Sequence, residues 1–143
     1  MQRREKGGFW IAFCAVFFYP IGWLVGRSRF QGLGHIPASG GVLLVANHIS
    51  HLDPVFTGLA VHRARRVPRF LAKHSLWRTP VLGWALRGSG QIPVYRDTVE
   101  AQLSLREGTR ELEDGKVVVI YPEGTITRDP QGWPMKSRTG VAR

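Results

Sequence analysis

Residues 42–46, Val-Leu-Leu-Val-Ala, form a continuous apolar run that leads directly into the polar turn Asn47-His-Ile-Ser-His-Leu-Asp-Pro54. A short apolar run of this kind is typical of a strand buried on both faces, as in a parallel sheet. The residues after the turn, 55–61, are compatible with a short helix. This part of the sequence therefore predicts a strand, a turn with reactive side chains, and a helix.

The rest of the chain repeats this alternation. Residues 68–72, 91–95 and 117–120 predict three further strands, and Pro93 places the third strand near an edge or an end of the sheet. Residues 77–86 predict a helix that Gly83 weakens. Alternating strands and helices indicate an α/β domain with a largely parallel sheet flanked by helices.

The fourth helix has its own start, face and stop signals. Asp97 can cap its first turn, with Glu100 reaching back, and Gly115 ends it. We expect its packed face to carry the stripe Ala101, Leu105, Gly108 and Leu112. Residues 136–143 resemble the first turns of another helix. A parallel sheet would normally continue beyond that point, so we expect the sequence to stop short of the complete domain.

A largely apolar run, residues 9–25, lies near the N-terminus between basic residues. Its 17 residues are at the low edge of what crosses a bilayer, which takes about 20 residues. Three interpretations stay open: a helix in the membrane interface with Trp10, Tyr19 and Trp23 near headgroups, a membrane span, and a buried helix. We take residues 1–31 as a membrane-interface segment and residues 32–143 as one domain.

Composition and net charge limit the classes of protein to which the chain can belong. The 143 residues include 43% apolar residues, which excludes a disordered or collagen-like chain, and a single cysteine, Cys14, which excludes a disulfide framework. The net charge of +10 implies an anionic partner such as a membrane surface, a phosphorylated substrate or nucleic acid. Residues 1–96 carry 13 Lys and Arg but two acids, Glu5 and Asp53, so Asp53 stands alone in a long basic region.

The turn at residues 47–53 holds candidate chemistry. A histidine near neutral pH can take a proton from a hydroxyl, and a carboxylate can fix its tautomer. In one continuous helix, His48 and Asp53 would point about 140° apart. They can therefore meet only if His48 lies in the turn and Asp53 in the first turn of the following helix.

Other chemistry stays open on the residues alone. His48, His51 and Asp53 could ligate a metal, and Ser50 could be a nucleophile, although it lacks a nucleophile elbow. Lys73, His74 and Arg96 follow the second and third strands, where cations could bind a phosphate or simply be solvated. The fourth strand ends in Tyr121-Pro-Glu-Gly-Thr125, which as a lone pentapeptide could be an ordinary turn.

Together, these strand ends resemble the lysophosphatidic acid acyltransferase family, the 1-acyl-sn-glycerol-3-phosphate acyltransferases. The motif Asn-His-x-Ser-x-x-Asp is matched at residues 47–53, Gly-x-Ile-x-Val-x-Arg at residues 90–96, and Phe/Tyr-Pro-Glu-Gly-Thr at residues 121–125. The order and separation of all three motifs make the resemblance specific, and it covers about residues 32–143.

The resemblance implies a glycerophospholipid acyltransferase fold and a set of roles. His48 would be the general base that deprotonates lysophosphatidic acid, and Asp53 would orient it. The hydroxyl would attack the thioester of acyl-CoA or acyl-carrier protein, which act as co-substrates, and the product would be phosphatidic acid. The acceptor would be bound by Lys73, Arg96, Glu123, Gly124 and Thr125. No cofactor, metal or nucleic acid is expected.

The resemblance also implies a membrane-docking N-terminal helix and a peripheral or monotopic position at the cytoplasmic face of the cell membrane. Two departures from the family pattern bear on the acceptor. Ile126 stands where the family usually has an arginine, with Arg128 nearby, and the family's fourth motif is missing. The alternatives are an acyltransferase for a different lysophospholipid or a glycolipid, and a non-enzymatic binder of anionic lipid or nucleic acid.

Overall fold

The structure is a computed structural model that describes residues 8–95 and 100–137. Four strands form one sheet in the order β1-β4-β2-β3, with every neighbouring pair parallel. The strands are β1 (Val42–Val45), β2 (Pro68–Lys73), β3 (Ile92–Val94) and β4 (Val117–Ile120). The predicted α/β class and parallel sheet are confirmed.

Four α-helices accompany the sheet: α1 (Phe9–Val25), α2 (Asp53–Arg63), α3 (Pro80–Gly88) and α4 (Ala101–Glu113). Short 3-10 helices cover Leu33–His35 and His74–Arg78. The single helix predicted over residues 77–86 is therefore wrong at its start. Thr79 has an extended backbone and Pro80 begins α3, so the chain turns sharply between a 3-10 helix and α3.

The core lies around β4, whose Val117, Val118 and Val119 are buried. This central strand has the predicted burial on both faces. The same prediction was wrong for the edge strand β1, because one of its faces is uncovered and leaves Leu43 43% and Val45 53% exposed, while Val42 and Leu44 on the other face pack against the core. Pro93 does lie in an edge strand, as predicted, where its missing N–H costs no ladder bond.

The packed face of α4 is shifted from the predicted stripe, of which Gly108 is buried and Leu112 is half-buried. Ser104 and Gly108 are buried, whereas Leu105 is exposed. The Ser104 hydroxyl donates to the Pro93 carbonyl at 2.8 Å, which satisfies a polar group that the apolar stripe had left out. The predicted Asp97 cap and most of the helix predicted over residues 136–143 lie outside the described residues.

Helix α1 lies against α2 and α3 but is largely exposed. Of its residues, Gly22 alone is buried, so the interpretation of α1 as a buried helix is wrong. Gly22 is needed for a close approach, since a Cβ there would come within 2.6 Å of the Leu59 side chain. The Tyr19 hydroxyl lies 3.0 Å from Nδ1 of His62 in α2. None of the helices within residues 8–95 and 100–137 has the length and apolar character to cross a bilayer.

Candidate active site

The carboxyl ends of the four parallel strands meet at one edge of the sheet. In the observed order, the end of β1 lies beside the end of β4, which lies beside the end of β2. The turn with His48, the loop that begins at Tyr121, and Lys73 therefore face a common space. Ligands of open α/β sheets bind at this edge.

His48 and Asp53 are in contact. The Nδ1 atom of His48 lies 2.9 Å from Oδ2 of Asp53, and both side chains are nearly buried. The contact forms because His48 lies in the turn and Asp53 is the first residue of α2, as the spacing required. A carboxylate can only accept, so the shared proton belongs to Nδ1, and Nε2 of the neutral ring carries the free lone pair.

The Asp53 carboxylate also shapes the turn itself. Its Oδ2 accepts the backbone N–H of Ile49 at 2.6 Å and that of Ser50 at 2.7 Å. The Ser50 hydroxyl accepts a hydrogen bond from the N–H of Leu52 at 3.1 Å, so the Ser50 side chain stabilises the turn. One aspartate therefore fixes the backbone around His48 and holds Nδ1 of its ring in place.

The loop after β4 binds the backbone of His48 from the other side. The N–H of His48 donates to Oε1 of Glu123 at 3.1 Å, and its carbonyl accepts the N–H of Thr127 at 2.7 Å. Oε2 of Glu123 accepts the N–H of Met135 at 2.9 Å. Glu123 is 5% exposed, so its carboxylate faces backbone donors in the protein.

Tyr121 is a site residue to which the sequence alone assigns no role. Its ring lies on the His48 ring with centroids 4.5 Å apart and planes inclined by 25°. Its hydroxyl donates to Oγ1 of Thr57 in α2 at 3.1 Å. Burial raises the pKa of Tyr121 to about 12, while the bond to Thr57 lowers it and the charge of Asp53 raises it. The third motif accepts either Phe or Tyr at this position, and the two side chains share an aromatic ring. That preference is the sequence signal that could have indicated a role for the Tyr121 ring.

A large open groove of about 1130 Å³ begins at this edge. Its polar end is lined by His48, Lys73, Gly124 and Thr125, so the structure brings these four predicted site residues to one groove. Its walls are apolar and come from α1, α2, α3 and the sheet, and they include Cys14, Phe18, Val55, Leu59, Phe70 and Leu86. The groove is at least as large as pockets for drug-sized ligands, which span roughly 300–1,000 Å³.

Two details complete the site. Gly124 has a φ of 70° and its N–H donates to the carbonyl of Tyr121 at 2.9 Å, so a glycine suits this tight turn. Burial raises the pKa of the Cys14 thiol in the groove wall, which keeps that thiol neutral. Arg96 lies outside the described residues.

Metal binding finds no support in the described parts of the chain. Across residues 8–95 and 100–137, no three His, Cys, Asp or Glu side chains converge as a metal site would require. His51 is exposed, and the Asp53 oxygen that contacts His48 already accepts two backbone N–H groups. The arrangement suits proton transfer at His48 beside a cation and an apolar groove.

Comparison with known proteins identifies the class. Residues 27–143 match the Acyltransferase family, and the chain belongs to that family. The chain is 31% identical over 124 residues to a chloroplastic 1-acyl-sn-glycerol-3-phosphate acyltransferase of Brassica napus, an alignment that covers 80% of this chain and 35% of the relative. This confirms the resemblance predicted from the three motifs.

Two bacterial relatives show the range of named acceptors. The 1-acyl-sn-glycerol-3-phosphate acyltransferase of Borreliella burgdorferi is 30% identical over 108 residues, covering 74% of this chain and 42% of the relative. The lyso-ornithine lipid O-acyltransferase of Rhodobacter capsulatus is 33% identical over 109 residues, covering 76% and 36%. The chain thus spans about a third to two fifths of the length of these relatives. No solved structure matches the chain.

Proposed function

We propose that this protein transfers a fatty acyl group from acyl-CoA or acyl-carrier protein to the free hydroxyl of 1-acylglycerol-3-phosphate and so makes phosphatidic acid. The observation that carries the proposal is the 2.9 Å contact between His48 and Asp53 at the polar end of an apolar groove. Family membership and the two relatives named for this reaction support the choice of acceptor.

The proposed mechanism begins at Nε2 of His48. This nitrogen takes the proton of the acceptor hydroxyl while the oxygen attacks the thioester carbonyl carbon. Asp53 stabilises the imidazolium that forms, and the tetrahedral intermediate then expels the thiolate, which recovers the proton from His48. A thioester is already activated, so these steps move protons and one acyl group and need no metal.

Two cations are proposed to bind the acceptor phosphate. Lys73 is exposed at the end of β2 and lines the groove with His48. Arg96 follows β3 in sequence and is assigned from its place in the second motif. Gly124 and Thr125 are proposed to contact the glycerol portion. For Glu123, the predicted contact with the acceptor stays a prediction, while both of its oxygens accept backbone N–H groups.

We propose that the protein acts at a membrane surface, as a peripheral or monotopic protein at the cytoplasmic face. Support comes from α1, which exposes Phe9, Val16, Trp23 and Leu24 while its opposite side lines the groove. Exposed Arg27 and Arg29 follow the helix and suit anionic headgroups. A lipid acceptor could then enter the groove beside α1.

The test is phosphatidic acid formation by the purified full-length protein from lysophosphatidic acid and either thioester. Replacing His48 by alanine is expected to lower kcat by about 10²–10⁴-fold, the usual contribution of a general base. The matched control is His35→Ala, because His35 is an exposed histidine whose ring contacts the nearby Gly32 carbonyl. Undiminished turnover by His48→Ala would contradict the mechanism.

A second acceptor has a specific observation in its favour. The relative named for lyso-ornithine lipid is as similar as the others, and Ile126 replaces the arginine that usually follows the third motif. An acceptor panel with lysophosphatidic acid and lyso-ornithine lipid decides between them by kcat/KM. Binding of RNA or anionic vesicles without turnover of any acceptor would instead indicate a non-enzymatic binder.

A further inference from the structure

The orientation of the His48 ring is incompletely fixed by Asp53. One hydrogen bond from Nδ1 holds that nitrogen in place, but it leaves the ring free to tilt about the bond. A tilt would move Nε2, which lies on another corner of the ring. Since proton transfer needs heavy atoms within hydrogen-bond reach, the ring needs a second constraint.

Tyr121 supplies this second constraint, because its ring lies against one face of the His48 imidazole. Its ring stacks on the imidazole with centroids 4.5 Å apart and planes inclined by 25°, within the range of centroid distances that aromatic pairs prefer. A flat ring held against the imidazole opposes tilting. Asp53 therefore acts at one edge of the ring, and Tyr121 acts on its face.

The stacking ring is itself held in place. The Tyr121 hydroxyl donates to Thr57 at 3.1 Å, one turn beyond Asp53 in the same helix, α2. On the sheet side, the Phe70 ring is almost parallel to it, with planes inclined by 10° and centroids 6.5 Å apart. Both groups that orient His48 are thus held by α2, Asp53 as its first residue and Tyr121 through the hydrogen bond to Thr57.

The stack also suits the charge that develops during the reaction. The face of an aromatic ring carries negative electrostatic potential and attracts a cation placed over it. An imidazolium at His48 would lie against this face. The raised pKa of Tyr121 keeps its hydroxyl protonated near neutral pH, so the residue acts through its ring and is not a second base.

We propose that Tyr121 is a positioning residue for His48. The phenol ring of Tyr121 stacks on the imidazole, directs Nε2 of His48 towards the acceptor hydroxyl, and stabilises the imidazolium. This inference rests on the proposed function. It adds a residue to the site whose contribution is made through His48 and should therefore appear in kcat.

The kinetic test compares Tyr121→Leu with Tyr121→Phe in the full-length protein. Leucine removes the stacking ring, so we expect kcat to fall about 10- to 100-fold, as for a modest misplacement of a catalytic group, with KM changed less than about threefold. Phenylalanine keeps the ring and loses only the bond to Thr57, so it should retain kcat within about threefold. Thr57→Val should behave like Tyr121→Phe.

A comparison variant separates positioning from groove shape. Phe18→Leu removes an aromatic side chain from the α1 wall of the same groove and leaves in place the groups that hold Tyr121, so it should raise KM more than it lowers kcat. If Tyr121→Leu instead raised KM and left kcat unchanged, Tyr121 would be a groove wall and the inference would be overturned. Equal loss of kcat in the Leu and Phe variants would also overturn it, because the ring would then not be the cause.

A structural readout does not depend on turnover. The imidazole protons of His48, assigned through His48→Ala, should resonate upfield of those of exposed His35 because they lie over the Tyr121 ring. The upfield shift should persist in Tyr121→Phe and vanish in Tyr121→Leu. A His48 resonance at an ordinary position in the active protein overturns this inference. An upfield resonance in a protein that acylates nothing supports the stack and overturns the proposed function.

Discussion

Replacing Asp53 by alanine or by asparagine separates its two tasks, shaping the turn and stabilising the charge on His48. Its Oδ2 accepts two backbone N–H groups at 2.6 and 2.7 Å as well as His48. Alanine removes the acceptor for all three donors. Asparagine offers an amide oxygen in the same place and removes only the negative charge.

The expected magnitudes differ for stability. A hydrogen bond to a charged group contributes about 1.5–3 kcal/mol, and a neutral one about 1 kcal/mol. Ile49 is exposed, so water can replace part of what alanine removes. We therefore expect Asp53→Ala to lower the free energy of unfolding by about 2–3 kcal/mol and Asp53→Asn by about 1 kcal/mol.

The two Asp53 variants are expected to lose similar amounts of kcat, although they differ in stability. Both variants lose the carboxylate that stabilises the imidazolium, so both should lose about 10²–10⁴-fold in kcat. The asparagine variant should thus keep part of the stability that the alanine variant loses and be nearly as inactive as the alanine variant. This dissociation of stability from activity is the signature of a charged partner for the base.

Urea unfolding followed by fluorescence of the five tryptophans measures stability, and phosphatidic acid formation measures kcat. Asp129→Asn is the matched control, because Oδ1 of this exposed loop aspartate also accepts two backbone N–H groups, at 2.8 and 3.3 Å. It should leave kcat unchanged. The reasoning is refuted if Asp53→Asn retains full kcat, or if it is as destabilised as Asp53→Ala.

Two further predictions concern stability. The pKa of Tyr121 is raised to about 12 in the folded state, so the stability that its protonated hydroxyl contributes is full below about pH 10 and is lost as the pH rises towards 12. The urea midpoint of the unaltered protein should therefore fall relative to that of Tyr121→Phe between about pH 9 and pH 11.5. A constant difference between the two midpoints would contradict this prediction. Arg66 is 4% exposed and donates to the carbonyls of Pro37, Gly40 and Gly115. In urea unfolding at neutral pH, Arg66→Met should therefore lower the free energy of unfolding by about 2–4 kcal/mol, whereas Arg65→Met at the exposed neighbour should lower it by less than about 0.5 kcal/mol. Equal losses in the two variants would refute a structural role for Arg66.

The local parts of the site could be predicted from the sequence because they are close in the chain. Asp53 follows His48 by five residues, and a turn followed by a helix is the only local geometry that joins them, so the contact could be stated in advance. Strands β1 and β4 were predictable for a similar reason, since each is a short apolar run between turn residues. These predictions need no knowledge of which strands are neighbours.

Strand order could not be predicted, and the errors follow from it. The apolar runs of β1 and β4 are alike in sequence, yet β4 is central and β1 lies at an edge, so only β4 is buried on both faces. Periodicity reports what a strand could bury and does not report its place in the sheet. The face of α4 was displaced for a related reason, because Ser104 is buried where it finds the Pro93 carbonyl.

The same long-range placement explains why Tyr121 was overlooked. Residues 48 and 121 lie far apart in the chain, and they meet only because β1 pairs with β4 in parallel, with Val45 opposite Ile120. The two strands therefore end side by side, and the first residue after β4 falls beside the turn after β1. A stacked pair of this kind depends on register, which a single sequence does not specify.

The loop after β4 divides the work of the site between two sets of residues. Tyr121 contacts His48 and also lines the groove, Glu123 contacts the His48 backbone, and Gly124, Thr125 and Ile126 contribute to the groove lining. Substitutions in the second set can therefore change the acceptor without moving the base. In the proposed function, this separation accounts for the placement of the family departure at Ile126, since an altered acceptor contact there leaves the hydrogen bonds of His48 intact.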